Sequence, residues 1–399
     1  MTTERKGQRA LVIGCGIAGP LVAMALQRIG MVAEVHEARA SSADDVGSFL
    51  NVASNGLDAM RSLGLGREIW AEAFPTPHMV MWSGDGKRLG EVANGLTLED
   101  GTVSVTIQRG LLHRALREEA ARRGIAMIQG HKLRDVVTHA SGVVAHFEDG
   151  SEAHGDLLVG ADGVHSRVRA IVDAANPLAH YTGQLSIGGI VRGSAFPVTI
   201  GTYHMVFGRR AFFGYSVRAS GDAYWFANVA EPNEPLRGSR EAISIEAWKT
   251  RLCALFEGDA GLAVQMICAT ESEFSAYAIY DMPPVKTWHR DGRIVLVGDA
   301  AHATSPSSGQ GASMATEDAL VLAKCLRDQD DSHAAFVAYE QARRARVERV
   351  VRYSRQVTQS KVQGSVGRFF RDLMMPTALK MFGGSEAHAW LYRHHIAWD

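Results

Sequence analysis

The chain has 399 residues, 46% of them hydrophobic and 21% charged, which is material for two or three packed domains and excludes a largely disordered chain. Its 42 basic and 43 acidic residues leave a formal charge of -1, so the overall electrostatics give no reason to expect a nucleic-acid partner. Cys15, Cys253, Cys268 and Cys325 are scattered without a Cys-x-x-Cys pair, which argues against a zinc site or disulfide framework, and no run approaches the roughly 20 apolar residues of a membrane-spanning helix.

No secretory signal is visible in residues 1–9, which are short, charged and polar; a soluble, cytoplasmic protein with no metal site is expected. Residues 10–13 (ALVI) form an apolar run that stops at glycine, the pattern of a buried parallel strand. Residues 20–29 place Leu21, Val22, Met24, Ala25, Leu26 and Ile29 at helical spacing and end at Gly30, a residue suited to the left-handed turn after a helix. Residues 32–37 supply a second strand and complete a β-α-β unit. Further on, 111–123 reads as an amphipathic helix and 135–147 and 157–159 as strands. From about 181 to 279 the pattern changes. Alternating aromatic runs at 203–207, 212–217 and 224–229 predict an antiparallel sheet. Residues 294–297 (IVLV) again read as a buried strand, and 316–326 and 332–359 as helices. There is no repeat and no low-complexity linker, so the domains are expected to interleave in sequence.

Between the first strand and helix stands Gly14-Cys15-Gly16-Ile17-Ala18-Gly19. In such a G-x-G-x-x-G, the first glycine permits the tight turn, the second lets the backbone approach a pyrophosphate, and the third lets helix and strand pack closely. The phosphates then meet the helix N-terminus, Ile17 and Ala18 included, where free N–H groups and the dipole favour negative charge. Glu37, ending the second strand, is placed to accept hydrogen bonds from an adenosine ribose and to disfavour a 2′-phosphate. This motif accommodates FAD and NAD alike.

Two later segments separate them. Gly160-Ala161-Asp162-Gly163 follows an apolar strand and precedes Arg167 and Arg169; by itself it reads equally well as an Asp-Gly turn. Gly298-Asp299 ends the IVLV strand, and Gly309, Gln310, Gly311, Ala312 and Ser313 follow before a helix. A carboxylate there suits a ribityl hydroxyl, and the glycine run can offer N–H groups to an anionic ring. Taken together, the first glycine motif, GADGVHSRVR and GDAAHATSPSSGQG resemble, in order, the three hallmark motifs of the class A flavoprotein monooxygenases, the single-component aromatic hydroxylases. Gln108-Arg109-Gly110-Leu111-Leu112, Trp288 and Tyr339-Glu340 extend the likeness over about residues 10 to 350.

The resemblance implies an α/β fold: a Rossmann-like FAD-binding domain (residues 1–75, 102–178 and 283–366) interleaved with a smaller α+β substrate domain (76–101 and 179–282) built on an antiparallel sheet, then a C-terminal helical segment (367–399). It implies that NADH or NADPH reduces FAD and that O2 reacts at flavin C4a to give the hydroperoxide that oxygenates an aromatic or polycyclic substrate. Gly14, Gly16, Ile17, Ala18, Gly19 and Glu37 would hold the adenosine diphosphate and Arg109 the flavin side. Asp162 would lie near the pyrophosphate and nicotinamide path and Asp299 at the ribityl chain, with Gly309, Gly311, Ala312 and Ser313 beside the ring and Asn51 near it. Many members carry asparagine where this chain has Ser313. No catalytic base is assigned, and His204 and His302 are read as structural. Met205, Phe207, Phe212, Phe213, Tyr215, Trp225 and Phe226 are the expected substrate-pocket side chains, of which only those on one face of each strand can reach it. A monomer or homodimer is expected. The open alternatives are an FAD oxidoreductase that inserts no oxygen and a flavin-bound protein that sequesters a reactive intermediate.

Overall fold

The computed structural model of the protein describes residues 5–41, 48–236, 243–361, 365–382 and 388–398. Its first part runs β1 (Arg9–Ile13), α1 (Ala18–Arg28), β2 (Val32–Glu37), β3 (Phe49–Val52), α2 (Ser54–Ser62), β4 (Phe74–Pro75), β5 (His78–Ser83), β6 (Arg88–Ala93), β7 (Val105–Gln108) and α3 (Arg109–Arg122). There follow β8 (Ala126–Gln129), β9 (Leu133–His139), β10 (Gly142–Phe147), β11 (Glu152–Gly155), β12 (Leu157–Gly160) and α4 (Arg167–Val172). Next come β13 (His180–Val191), β14 (Thr202–Phe207), β15 (Phe212–Val217), β16 (Ala223–Ala230), α5 (Ile245–Phe256), α6 (Ala263–Ala269) and β17 (Phe274–Asp281). The chain closes with β18 (His289–Arg290), β19 (Ile294–Leu296), α7 (Asp299–His302), α8 (Gly311–Asp328), α9 (Ser332–Lys361), α10 (Ser365–Phe382) and α11 (Ala389–Tyr392).

The first sheet has the order β18-β19-β12-β1-β2-β8, and its strands are parallel except for the edge strand β18. Its central strands are continuously apolar because both of their faces are covered. Leu11, Val12, Leu158 and Val159 have no exposed surface. α1 packs on both α3 and α8 beside this sheet, and the small sheet β11-β10-β9 closes against β1, where Gly155 lies so near Leu11 that a methyl group would not fit. The sequence reading of 135–147 as one strand is corrected here. The chain turns at Ala140–Ser141 and pairs with itself, Val143 opposite Thr138 and Val144 opposite Val137. The Ala-Ser-Gly break in an otherwise alternating run carries that turn.

The second sheet, β17-β13-β16-β15-β14-β5-β6, is antiparallel except where β14 lies parallel to β5. Helices α5 and α6 cover one face with Trp248, Leu252, Phe256, Met266 and Ile267. α5 starts at Ser244, whose hydroxyl accepts a hydrogen bond from Ala247 N, the usual reward for serine before a helix. The opposite face looks towards β3 and the end of α9. At the C-terminus, Leu391 and Tyr392 of α11 join the main core, whereas Phe369, Phe370, Leu373 and Met374 of α10 are exposed. No helix among the described residues is long and apolar enough to cross a membrane.

Candidate functional site

Parallel strands deliver their loops to one edge, and ligands bind where those carboxyl ends open. Here β2, β1, β12 and β19 end in Glu37, Gly14, Ala161-Asp162 and Gly298-Asp299 on that edge. The three glycines of the first motif behave differently. Gly14 has φ 103°, and a Cβ on it would stand 2.5 Å from the Ala161 carbonyl oxygen; a Cβ on Gly19 would collide with the Gly14 carbonyl. A methyl group on Gly16 would find no heavy atom within 4 Å, so the backbone there opens on the crevice at the α1 N-terminus, formed by Ile17 and Ala18. The Glu37 carboxylate accepts hydrogen bonds from Cys15 N (2.8 Å) and Arg39 N (3.0 Å), which fixes it beside the glycine loop. This cradle fits the adenosine diphosphate half of FAD.

A second group converges from the late chain. Gly298 has φ 57°, and a Cβ there would lie 3.2 Å from Ala18 Cβ and 3.6 Å from Ala315 Cβ, so the Asp299 loop sits between the starts of α1 and α8. Asp299 itself opens on the crevice. Surrounding protein pushes its carboxyl up, while His302 and Arg109 oppose the shift, so Arg109, at the start of α3, shares the field of Asp299. Gly309 is left-handed (φ 63°, ψ 20°) and ends the turn before α8. It packs on Asn51, since a Cβ would be 3.1 Å from Asn51 Nδ2. Asn94 donates to Asn51 Oδ1 (3.0 Å) and to the Thr76 carbonyl (2.7 Å), holding the amide in place. Gly311 opens on space and Ala312 follows in the first turn of α8. Ser313, however, turns inward. It is fully buried with its Oγ against Gly56 of α2, so α2 can approach α8 closely and only its backbone is left for the crevice.

Asp162 is fixed by partners from the chain that follows it. Its carboxylate accepts from Ser166 Oγ (2.5 Å), Arg167 N (2.7 Å) and Val168 N (3.0 Å), the free donors at the start of α4. Burial raises its pKa and these bonds oppose the rise. Asp162 therefore caps a helix, and Arg169 behind it donates to the carbonyls of Ala300, Val164 and Pro177, tying α4 to the Asp299 loop.

The most heavily bonded residues near the site were not singled out in the sequence. Asp318 accepts from Gly298 N (2.8 Å), from Arg343 Nε (2.8 Å) and shares a 2.5 Å bond with His302 Nε2. Glu317 takes Arg343 (2.6 Å), Arg346 (2.7 and 2.8 Å) and Asn55 Nδ2 (2.8 Å). Both carboxylates are fully buried, and against that burial Arg343 and Arg346 hold Glu317, and His302 and Arg343 hold Asp318, each at a pKa of about 2. Two adjacent acids inside the apolar run of α8 were the available signal. His302 is structural, as expected. So is His204, whose Nδ1 accepts from Trp82 Nε1 (2.9 Å) between Trp82 and Tyr215.

Strand parity divides the expected substrate pocket. Met205 and Phe207 lie on the face towards the crevice, in a cluster with Phe212 and Phe226. Phe213, Tyr215 and Trp225 are turned the other way, against α5; Phe213 stacks on Trp225 and meets Phe256 edge-on. Those three are core, because their alternate neighbours took the inner face. That face presents the expected Phe226 and also Tyr203 and Tyr224, with Phe49 of β3 in ring contact with all three. Beside it is a cavity of about 440 Å³ lined by Ser48, Gln108, Gly110, Arg114, Gly188 and Glu273, among others. Arg209 and Arg210 lie at the surface, Arg209 paired with Asp85. Among the described residues no group of three or more His, Cys, Asp or Glu could hold a metal ion.

Known proteins share this arrangement. The family described as "FAD binding domain" matches residues 8–354. The chain is 31% identical over 348 residues to aurachin C monooxygenase/isomerase of Stigmatella aurantiaca, covering 85% of this chain and 86% of that protein. It is 29% identical to the FAD-dependent urate hydroxylase of Klebsiella pneumoniae, covering 94% and 97%. The crystal structure of Klebsiella pneumoniae HpxO with FAD and uric acid superposes with a TM-score of 0.82 at 27% identity, covering 94% of each chain. With the glycine cradle, the Asp299 loop and the sheet all in place, the chain belongs to the FAD-binding family of flavoprotein monooxygenases of the aromatic hydroxylase type, and is an FAD-dependent oxidoreductase using NAD(P)H.

Proposed function

We propose that the protein inserts one atom of O2 into an aromatic or polycyclic small molecule in the cytoplasm. In balance, substrate, O2, NADH or NADPH and a proton give the oxygenated product, water and the oxidised nucleotide. Bound FAD supplies the oxygen activation. The observation that carries this reading is the meeting of the Gly309–Asn51 contact with an aromatic sheet face through Phe49. On that reading, Gly14, Gly16, Ile17, Ala18, Gly19 and Glu37 hold the adenosine diphosphate. Arg109, Asp299 and the backbone of Gly309, Gly311, Ala312 and Ser313 hold the flavin part. Residues 76–101 and 179–282 then form the body that covers the substrate and keeps water from the reacting centre, and residues 1–75, 102–178 and 283–366 the body that binds FAD.

The test is turnover of purified, FAD-loaded protein under 18O2 with NADH or NADPH and a panel of mono- and polycyclic aromatics. A product carrying one labelled oxygen is expected. NAD(P)H oxidation that yields only labelled hydrogen peroxide with every compound would overturn oxygen insertion and leave a plain oxidase.

A further inference from the structure

Two cations stand on the aromatic sheet face, and one of them has no acid to answer it. Lys361, the last residue of α9, is buried; its Nζ donates to Asn228 Oδ1 (3.0 Å) and lies 4.6 Å and 5.4 Å from the ring centres of Phe212 and Phe226. No carboxylate among the described residues pairs with it, and burial alone pulls its pKa down to about 7. Arg371 of α10 lies 4.6 Å over Phe207, bonds to Asp372 and keeps one buried Nη1 without a partner. Phe207, Phe212 and Phe226 touch in sequence, so both cations sit on one aromatic platform.

A buried ammonium with one neutral partner is expensive, and ring faces offset only part of that. An apolar side chain would fill the place with less strain on folding. The position also bears on the site. One helical turn before Lys361, Thr358 Oγ1 bonds to Ser305 and Ser307 (2.5 and 2.8 Å) in the loop that leads to Gly309. From the other side, Phe226 reaches Phe49, whose strand carries Asn51 against Gly309. Lys361 is thus linked on two sides to the loop assigned to the flavin ring, across a planar apolar surface.

We propose that Lys361, with Arg371 beyond it, recognises an anionic oxygen of the substrate, so that the enzyme selects aromatic carboxylates or phenolates over neutral aromatics. The inference rests on the proposed aromatic oxygenation. A planar ring would lie along the Phe226 face while its oxygen accepts the free Nζ protons of Lys361.

The test titrates FAD-loaded protein with 2-naphthoate and its neutral counterpart 2-naphthamide, following the flavin absorbance change, with thermal melts of each variant alongside. Naphthoate should bind about 10- to 100-fold more tightly than naphthamide, as for a charge-assisted hydrogen bond. Lys361→Met should erase that preference while naphthamide still binds and the melting temperature holds or rises; Lys361→Arg should keep it. Equal affinity for both probes in the unmutated protein would overturn the proposal, as would a Lys361→Met protein that keeps the preference or that loses both probes with a lowered melting temperature. If neither probe perturbs the flavin and no aromatic stimulates NAD(P)H oxidation, the aromatic-substrate reading itself fails and takes the inference with it.

Discussion

Gly16 and Gly19 occupy the same motif, and the difference between them is what a methyl group would meet. At Gly16 it would meet nothing within 4 Å; at Gly19 it would meet the Gly14 carbonyl. Gly16→Val should therefore give a folded protein with a near-normal apoprotein melting temperature that has lost FAD affinity by about 100-fold or more, since each 1.4 kcal/mol is tenfold. Gly19→Ala should act on folding instead, at about 1–3 kcal/mol for overpacking a tight contact. Fluorescence titration of apoprotein with FAD, alongside thermal melts, separates the two. Intact FAD binding in Gly16→Val would remove this glycine from the cradle. Asp162 makes a related point about single residues: an Asp-Gly pair after a strand suits a ligand contact and a helix cap equally, and the donors of Ser166, Arg167 and Val168 fix the carboxylate at the start of α4.

At the scale of elements, α8 and α9 are fastened by Arg343 to Glu317 and Asp318, all buried. Arg343→Leu removes the cation shared by the two acids and leaves Glu317 to Arg346 and Asp318 to His302 in the core, a loss of about 3–5 kcal/mol. Chemical denaturation should show it. FAD affinity should weaken as well, because Asp318 holds Gly298 N and with it the Asp299 loop. A variant as stable as the parent would mean the network contributes nothing. This fastening was hidden in the sequence because it depends on the register between two helices, which neither helix reveals alone. The strands were readable, since alternation at 203–207, 212–217 and 224–229 is local. The face each strand turns inward was not: alternation marks two faces, and the packing of α5 through Trp248 and Phe256 decides which is core. Gly14 and Gly19 were readable because each answers to a contact with its own β-α unit or the loop after the adjacent strand.

For the whole molecule, the same carboxylates set a pH dependence. In the folded chain each titrates near 2, against ordinary values of 3.8 and 4.5 for Asp318 and Glu317. Their pKa values are depressed by folding, so their stabilisation is complete above about pH 5 and is lost as pH falls towards 2, roughly 2–3 kcal/mol for each group. Melting temperature should fall steeply over that window, with flavin released in step. In Arg343→Leu, where nothing holds the pair ionised as strongly, the same acid window should show a shallower fall. Parallel slopes in the two proteins would place the acid sensitivity elsewhere.

The cradle draws on β1, α3, β19 and the start of α8, so its parts are synthesised hundreds of residues apart. Within the sheet, β19 pairs with β12, and β12 with β1; the strand that leads to Asp299 docks on a neighbour made more than 130 residues earlier. On the proposed reading, a growing polypeptide therefore has the nucleotide-phosphate half of its grip early and lacks the flavin half until residues 299–313 have been made. Cofactor capture is then a late step in maturation, a clasp that engages after β19 has docked on β12.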